Sequence, residues 1–112
     1  MMIVQDIVDK LNLTVFSGSQ GLSAQVTGGY TSDLLSDVMG HADAGRVWIT
    51  LQAHKNVMAI ASLKELAAIV LIKDITPAPD AVALSEQEEI PILGSTLNAF
   101  ELSGKLYNLL QG

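Results

Sequence analysis

The chain has no cysteine, and that excludes disulfides, thiolate catalysis and thiolate metal sites in its 112 residues. Basic residues are scarce as well: six Lys and Arg against twelve Asp and Glu give a net charge of −6, and no basic cluster occurs anywhere. A polyanion such as duplex or single-stranded nucleic acid would be repelled. Long apolar runs are missing too, since the longest, Leu66 to Ile72, is far too short to span a bilayer. The start, Met1 to Lys10, has neither a basic leader nor a continuous apolar segment, so no secretory signal is expected and the cytoplasm is the expected location. Charged residues make up only 16%, below the roughly 25% of typical soluble domains. With so little charged surface a homo-oligomer, a dimer, is the expectation, because a partner copy would cover apolar surface.

What is present is hydrophobic patterning. Ile3, Val4, Ile7, Val8 and Leu11 repeat at helical spacing and predict an amphipathic first helix broken by Asn12. Leu13–Phe16 predicts a short strand ending at Ser17-Gly18, and Ser23 to Thr27 a second. Gly28-Gly29 then reads as a turn in which glycine supplies positive φ, with Thr31 and Ser32 as N-caps of the next helix and Asp33 in its first turn. Leu34, Leu35, Val38, Met39 and Ala42 form that helix's apolar face. Val47–Leu51 has the branched and aromatic content of a buried strand. Asn56 reads as the N-cap of a third helix, from Val57 to about Leu63 or Glu65. Ala67 to Ile72 reads as a central parallel strand, and a fourth helix runs from Pro79 or Asp80 to about Glu88. A last strand is expected at Ile90–Gly94, and a last helix is capped by Ser95 or Thr96. Alternation of this kind predicts one domain over residues 1–112, an α/β/α three-layer sandwich with a small, mostly parallel sheet.

Ligands of open parallel sheets bind beyond the strand carboxyl ends. Three such loops carry small, hydroxyl or amide residues beside a helix start: Gly28, Gly29, Thr31, Ser32 and Asp33; His54 and Asn56; and Ser95 and Thr96. Free N–H groups at helix starts favour an anion, so these nine residues are the candidate site for a phosphate or nucleotide-like group. The plainer alternative is that Thr31, Asn56 and Thr96 are ordinary caps. His54 could be a ligand donor, a general base or a pH sensor. His41 is the only other histidine, and no recognised metal-ligand spacing exists, so no metal site is expected. Neither G-x-x-x-x-G-K-[ST] nor G-x-G-x-x-G occurs, and no nucleophile–base arrangement can be assigned; the expectation is a protein without enzymatic activity, whose cofactor is unknown.

At Val26-Thr27-Gly28-Gly29-Tyr30-Thr31-Ser32-Asp33-Leu34-Leu35-Ser36-Asp37-Val38-Met39-Gly40, then Val47–Gln52 and His54, the sequence resembles stand-alone DRTGG-domain proteins. The end of the pattern follows as Ile90-Pro91-Ile92-Leu93, Phe100-Glu101 and Leu106-Tyr107. Thr27-Gly28-Gly29 is kept, while Gln25 and Val26 stand where the family has its Asp-Arg pair. The resemblance implies a fold like the N-terminal domain of HPr kinase/phosphorylase, in which kinase activity resides in a separate P-loop domain. It implies a regulatory or ligand-sensing module. Alternatively it implies an interaction domain docking on a redox or signalling protein, such as a hydrogenase-associated system. A small enzyme is the third reading.

Overall fold

The computed structural model describes residues 1–111. Its elements are α1 (Val4–Leu11), β1 (Thr14–Ser17), a 3-10 turn (Ser19–Gly21), β2 (Gly28–Thr31), α2 (Leu35–His41), β3 (Arg46–Thr50), α3 (Lys55–Leu63), β4 (Ala68–Leu71), α4 (Pro79–Glu88), β5 (Ile92–Gly94) and α5 (Ala99–Gln111). The strands form one sheet in the order β1-β5-β4-β3-β2. β2, β3, β4 and β5 are parallel, whereas β1 runs antiparallel to β5. The expected three-layer α/β/α sandwich with a mostly parallel sheet is therefore the architecture found.

Side-chain alternation along the central strands builds two cores. Val47, Ile49, Ala68 and Val70 point to one face, where they meet Val4, Ile7 and Val8 of α1 and Leu102 and Leu106 of α5. Trp48, Ile69 and Leu71 point to the other, against Val38 of α2, Val57, Met58 and Ala61 of α3, and Ala81 of α4. Because β2 to β5 step across the sheet in one direction, right-handed crossovers place α2, α3 and α4 on a single face. α5 then crosses to the opposite face, packing Leu106 onto Gly29.

Several local expectations are corrected. Residues 23–27 do not join the sheet: Val4 N–H donates to Ala24 O at 3.0 Å and Val26 N–H to Met2 O at 2.9 Å, tying the segment to the N-terminal residues, while Thr27 N–H donates to Gly45 O at 3.0 Å in the loop before β3. The second strand is instead Gly28–Thr31, so the two glycines are strand residues and not a turn; among the described residues the glycines with positive φ are Gly18 and Gly45. Thr31 and Ser32 do not cap α2, whose flanking residue is Leu34. Ser32 is committed to β3, since its N–H donates to Ile49 O at 3.2 Å and its carbonyl accepts Trp48 Nε1–H at 2.8 Å. Asp33 consequently precedes the helix, and Asp37 is the acid of its first turn. Of the expected apolar face Val38 and Ala42 are buried, whereas Leu34 is 64% exposed.

At α3 the cap is His54, whose Nδ1 accepts from Asn56 N–H at 3.3 Å, so Asn56 lies inside the helix. At α5 Asn98 Oδ1 accepts from Glu101 N–H at 2.9 Å, and neither Ser95 nor Thr96 caps it. Asn12 ends α1 as expected, in the left-handed conformation with φ 53°. Pro91 lies just before β5, where its missing N–H costs no ladder bond, and its carbonyl accepts from Ile69 N–H.

Candidate functional site

The nine candidate residues fall in three places. Ser32, Asp33, His54 and Asn56 share the rim at the carboxyl ends of β2 and β3. Asp33 Oδ1 accepts from the Thr50 hydroxyl at 2.9 Å and from Leu51 N–H at 2.7 Å, while Gln52 Nε2 donates to Asp33 O at 3.0 Å. Gln52 Oε1 lies 3.0 Å from His54 Nε2. Since Gln52 uses its amide hydrogens on Asp33, His54 Nε2–H is the donor there, which leaves Nδ1 as the acceptor for Asn56 N–H. The rim is thus a closed chain of hydrogen bonds, with its polar groups aimed at one another.

Beneath the rim, Asp37 takes a hydrogen bond from the Tyr30 phenol at 3.0 Å. Ser32 Oγ accepts from Leu34 N–H, which leaves its own hydrogen for Asp37. Hydrogen bonding by Ser32, then by Tyr30, with His41 3.3 Å away, holds the Asp37 carboxyl below its usual range. The Tyr30 phenol is pushed up, by desolvation first and then by Asp37.

Gly28, Gly29 and Thr31 line a different feature, a groove of about 350 Å³ between β2 and α5. Thr31 Oγ1 and Ser103 Oγ meet across it at 2.7 Å. Gly28 begins β2, at the amino end of the sheet, and is not on the rim at all.

Ser95 and Thr96 line the third feature, an open surface cavity of about 670 Å³ bordered by the end of α1, the β5–α5 loop and the middle of α5. Lys10, Asn12, Lys105 and Asn108 line it together with Leu11, Leu97 and Leu109. Among the described residues neither lysine forms an ion pair within 4 Å. Ser95 is fixed by its neighbours: its N–H donates to Leu71 O, its carbonyl accepts from Asp74 N–H, and its hydroxyl accepts from Leu97 N–H. A small cleft of about 40 Å³ continues past Asn12 and Thr14 to Asp74. Lys10 and Lys105 escaped sequence reasoning because they are 95 positions apart, and only the packing of α1 beside α5 brings them to one cavity. No group of three or more His, Asp or Glu is placed to hold a metal ion, and no helix is long and apolar enough to cross a membrane, among the described residues.

No family model matches the sequence. The chain is 26% identical to an HPr kinase/phosphorylase from Geobacillus sp. (strain WCH70), in an alignment covering 96% of this chain and 39% of that protein. Its fold is that of a crystal structure of the CBS and DRTGG domains of the regulatory region of Clostridium perfringens pyrophosphatase, complexed with the activator diadenosine tetraphosphate. The TM-score is 0.73 at 11% identity, covering 94% of this chain and 45% of that one. The chain thus spans less than half the length of each of these two proteins. The sequence match runs over nearly the whole of this chain, and the structural match shows that the chain shares its fold with part of that regulatory region.

Proposed function

We propose that this chain is a non-catalytic regulatory module that senses a phosphorylated or nucleotide-like metabolite in the cavity at the carboxyl end of β5. The observation that carries the reading is charge placement. In a chain of net charge −6, two of six basic residues border one cavity, and neither is neutralised by an ion pair among the described residues. Thr96, Asn12 and Asn108 add donors around the same space, and an apolar floor is what small-molecule sites commonly provide. Asp74 repels negative charge at the far end of the adjoining cleft, so the anionic group belongs on the lysine side. The structural neighbour supports a sensing role, since that regulatory region is complexed with a nucleotide activator.

In this reading Ser32, Asp33, His54 and Asn56 hold strand ends in place without touching ligand, while Ser95 and Thr96 retain the role the sequence suggested. The module works in the cytoplasm as a homodimer, with the exposed Met39 and Leu63 on α2 and α3 supplying apolar surface. Calorimetric titration with inorganic pyrophosphate, AMP, ATP and diadenosine tetraphosphate tests the proposal. At least one probe should bind at micromolar to millimolar concentration, weaken as salt is raised, and weaken about tenfold or more in both Lys10→Ala and Lys105→Ala. Binding unaffected by either substitution, or no binding of any probe, refutes it.

A further inference from the structure

The edge of the sheet at β2 is built to be joined. Ser32 N–H points at Ile49 O of β3, so by strand alternation the main-chain groups of Tyr30 face β3, and those of Gly29 and Thr31 face away from the sheet. Arg46 confirms the direction. Its Nη1 donates to Gly29 O at 3.1 Å, its guanidinium reaching the outside of β2 from the neighbouring strand.

Gly28 has no internal explanation. Its φ is not in the left-handed region, and the nearest atoms an added Cβ would meet belong to the Arg46 side chain, at an ordinary 3.8 Å. Gly29 differs, because Leu106 Cδ2 would lie 3.1 Å from a Cβ there. Glycine within a strand marks a place where another backbone comes close, and an unpaired edge is a template for a further strand. Beside this edge runs the groove whose far wall is Ser103, Tyr107 and Leu110 of α5.

We infer that β2 and α5 form a docking groove for an extended peptide of a partner protein, which adds a strand to the sheet at Gly29 and Thr31 and places a carboxylate on Arg46. Alternate side chains of an added strand would fall toward Leu106 and Leu110, and the intervening ones would face solvent. Charge selects the peptide: Arg46 is the only cation lining the groove among the described residues, and its ties, to Gly29 O at 3.1 Å and to Asp43 at 3.4 Å, are partly exposed contacts that an incoming strand and its carboxylate replace.

Selection of random linear dodecapeptides displayed on phage against the intact chain tests this, followed by titration of an enriched synthetic peptide into the ¹⁵N-labelled protein. Enriched peptides should share an Asp or Glu next to alternating apolar residues, and should shift the amides of Gly28 to Thr31 and of Ser103. Arg46→Glu should weaken binding at least tenfold, and selection on that variant should enrich Lys or Arg instead. This reversal of preference cannot come from simple misfolding. Ser103→Trp, which fills the groove from a helix surface, should abolish binding while leaving the circular dichroism spectrum unchanged. The inference is overturned by the absence of enriched peptides, by shifts confined to α3 and α4, or by an acid preference indifferent to Arg46→Glu. It is overturned equally by a second copy of the chain occupying the edge, seen as a dimer in sedimentation that Ser103→Trp dissociates.

Discussion

Replacing Asp33 with alanine separates a scaffold role from a binding role at the residue where the two readings compete most directly. The carboxylate accepts two hydrogen bonds, from the Thr50 hydroxyl and from Leu51 N–H. Hydrogen bonds to a charged group are worth about 1.5–3 kcal/mol each, but Asp33 and Leu51 are exposed, so water replaces part of what is lost. The Leu51 amide rehydrates at small cost. Thr50 is only 1% exposed, and its hydroxyl loses its acceptor where water cannot easily enter. The sum is a destabilisation of about 2–3 kcal/mol, which for a chain of this size lowers Tm by about 10 °C. Asp33→Asn keeps an acceptor at the same position and should cost only about 1 kcal/mol. Urea unfolding followed through the fluorescence of Trp48, which is itself tied to the neighbouring Ser32 carbonyl, measures both variants. The reasoning fails if Asp33→Ala changes stability by less than about 0.5 kcal/mol, within the range of ordinary surface substitutions, or if the asparagine variant is as damaged as the alanine one. In either variant, binding of a phosphorylated probe at the Lys10–Lys105 cavity should persist.

Two further outcomes follow from the packing and the charge pattern. Gly94→Ala drives a methyl group into the ring of Phe16, and an overpacked contact of this kind should cost about 1–3 kcal/mol; Phe16→Leu in the same chain should recover part of that loss in urea unfolding. Because Asp37 titrates below its usual range in the folded chain, the stability it lends is fully present above the ordinary carboxylate pKa and is lost as pH falls through its lowered value. Asp37→Asn should therefore show a shallower loss of stability on acidification than the parent, and parallel acid profiles would contradict the assignment.

The order of elements was legible in the sequence because it depends on periodicity alone. The alternating helical and apolar runs predicted all five helices, and the Val47–Leu51 and Ala67–Ile72 strands lie within a residue of β3 and β4. What local pattern could not reach was competition for backbone groups by distant residues. Thr31 and Ser32 have the chemistry of helix caps, but β3 claims Ser32 at both its N–H and its carbonyl, and the helix waits until Leu35. Asn56 yields to His54 for a similar reason, since the chain leaving Gln52 turns so that the imidazole meets the helix start first. The glycine pair carries a turn signal, yet pairing with β3 keeps it extended.

By itself, the sequence determined the layers: apolar spacing decides which segments become helices or strands, and a parallel sheet must be covered on both faces. Tertiary structure alone decided which polar residues become neighbours. Candidate residues chosen from three loops separated into a self-bonded rim, an edge groove and a lysine-bordered cavity, because strand order and the crossing of α5 to the opposite face are set by packing over the entire chain. Charge composition could report that basic residues were few; only the fold could put Lys10 and Lys105 around one space and Arg46 on an open edge.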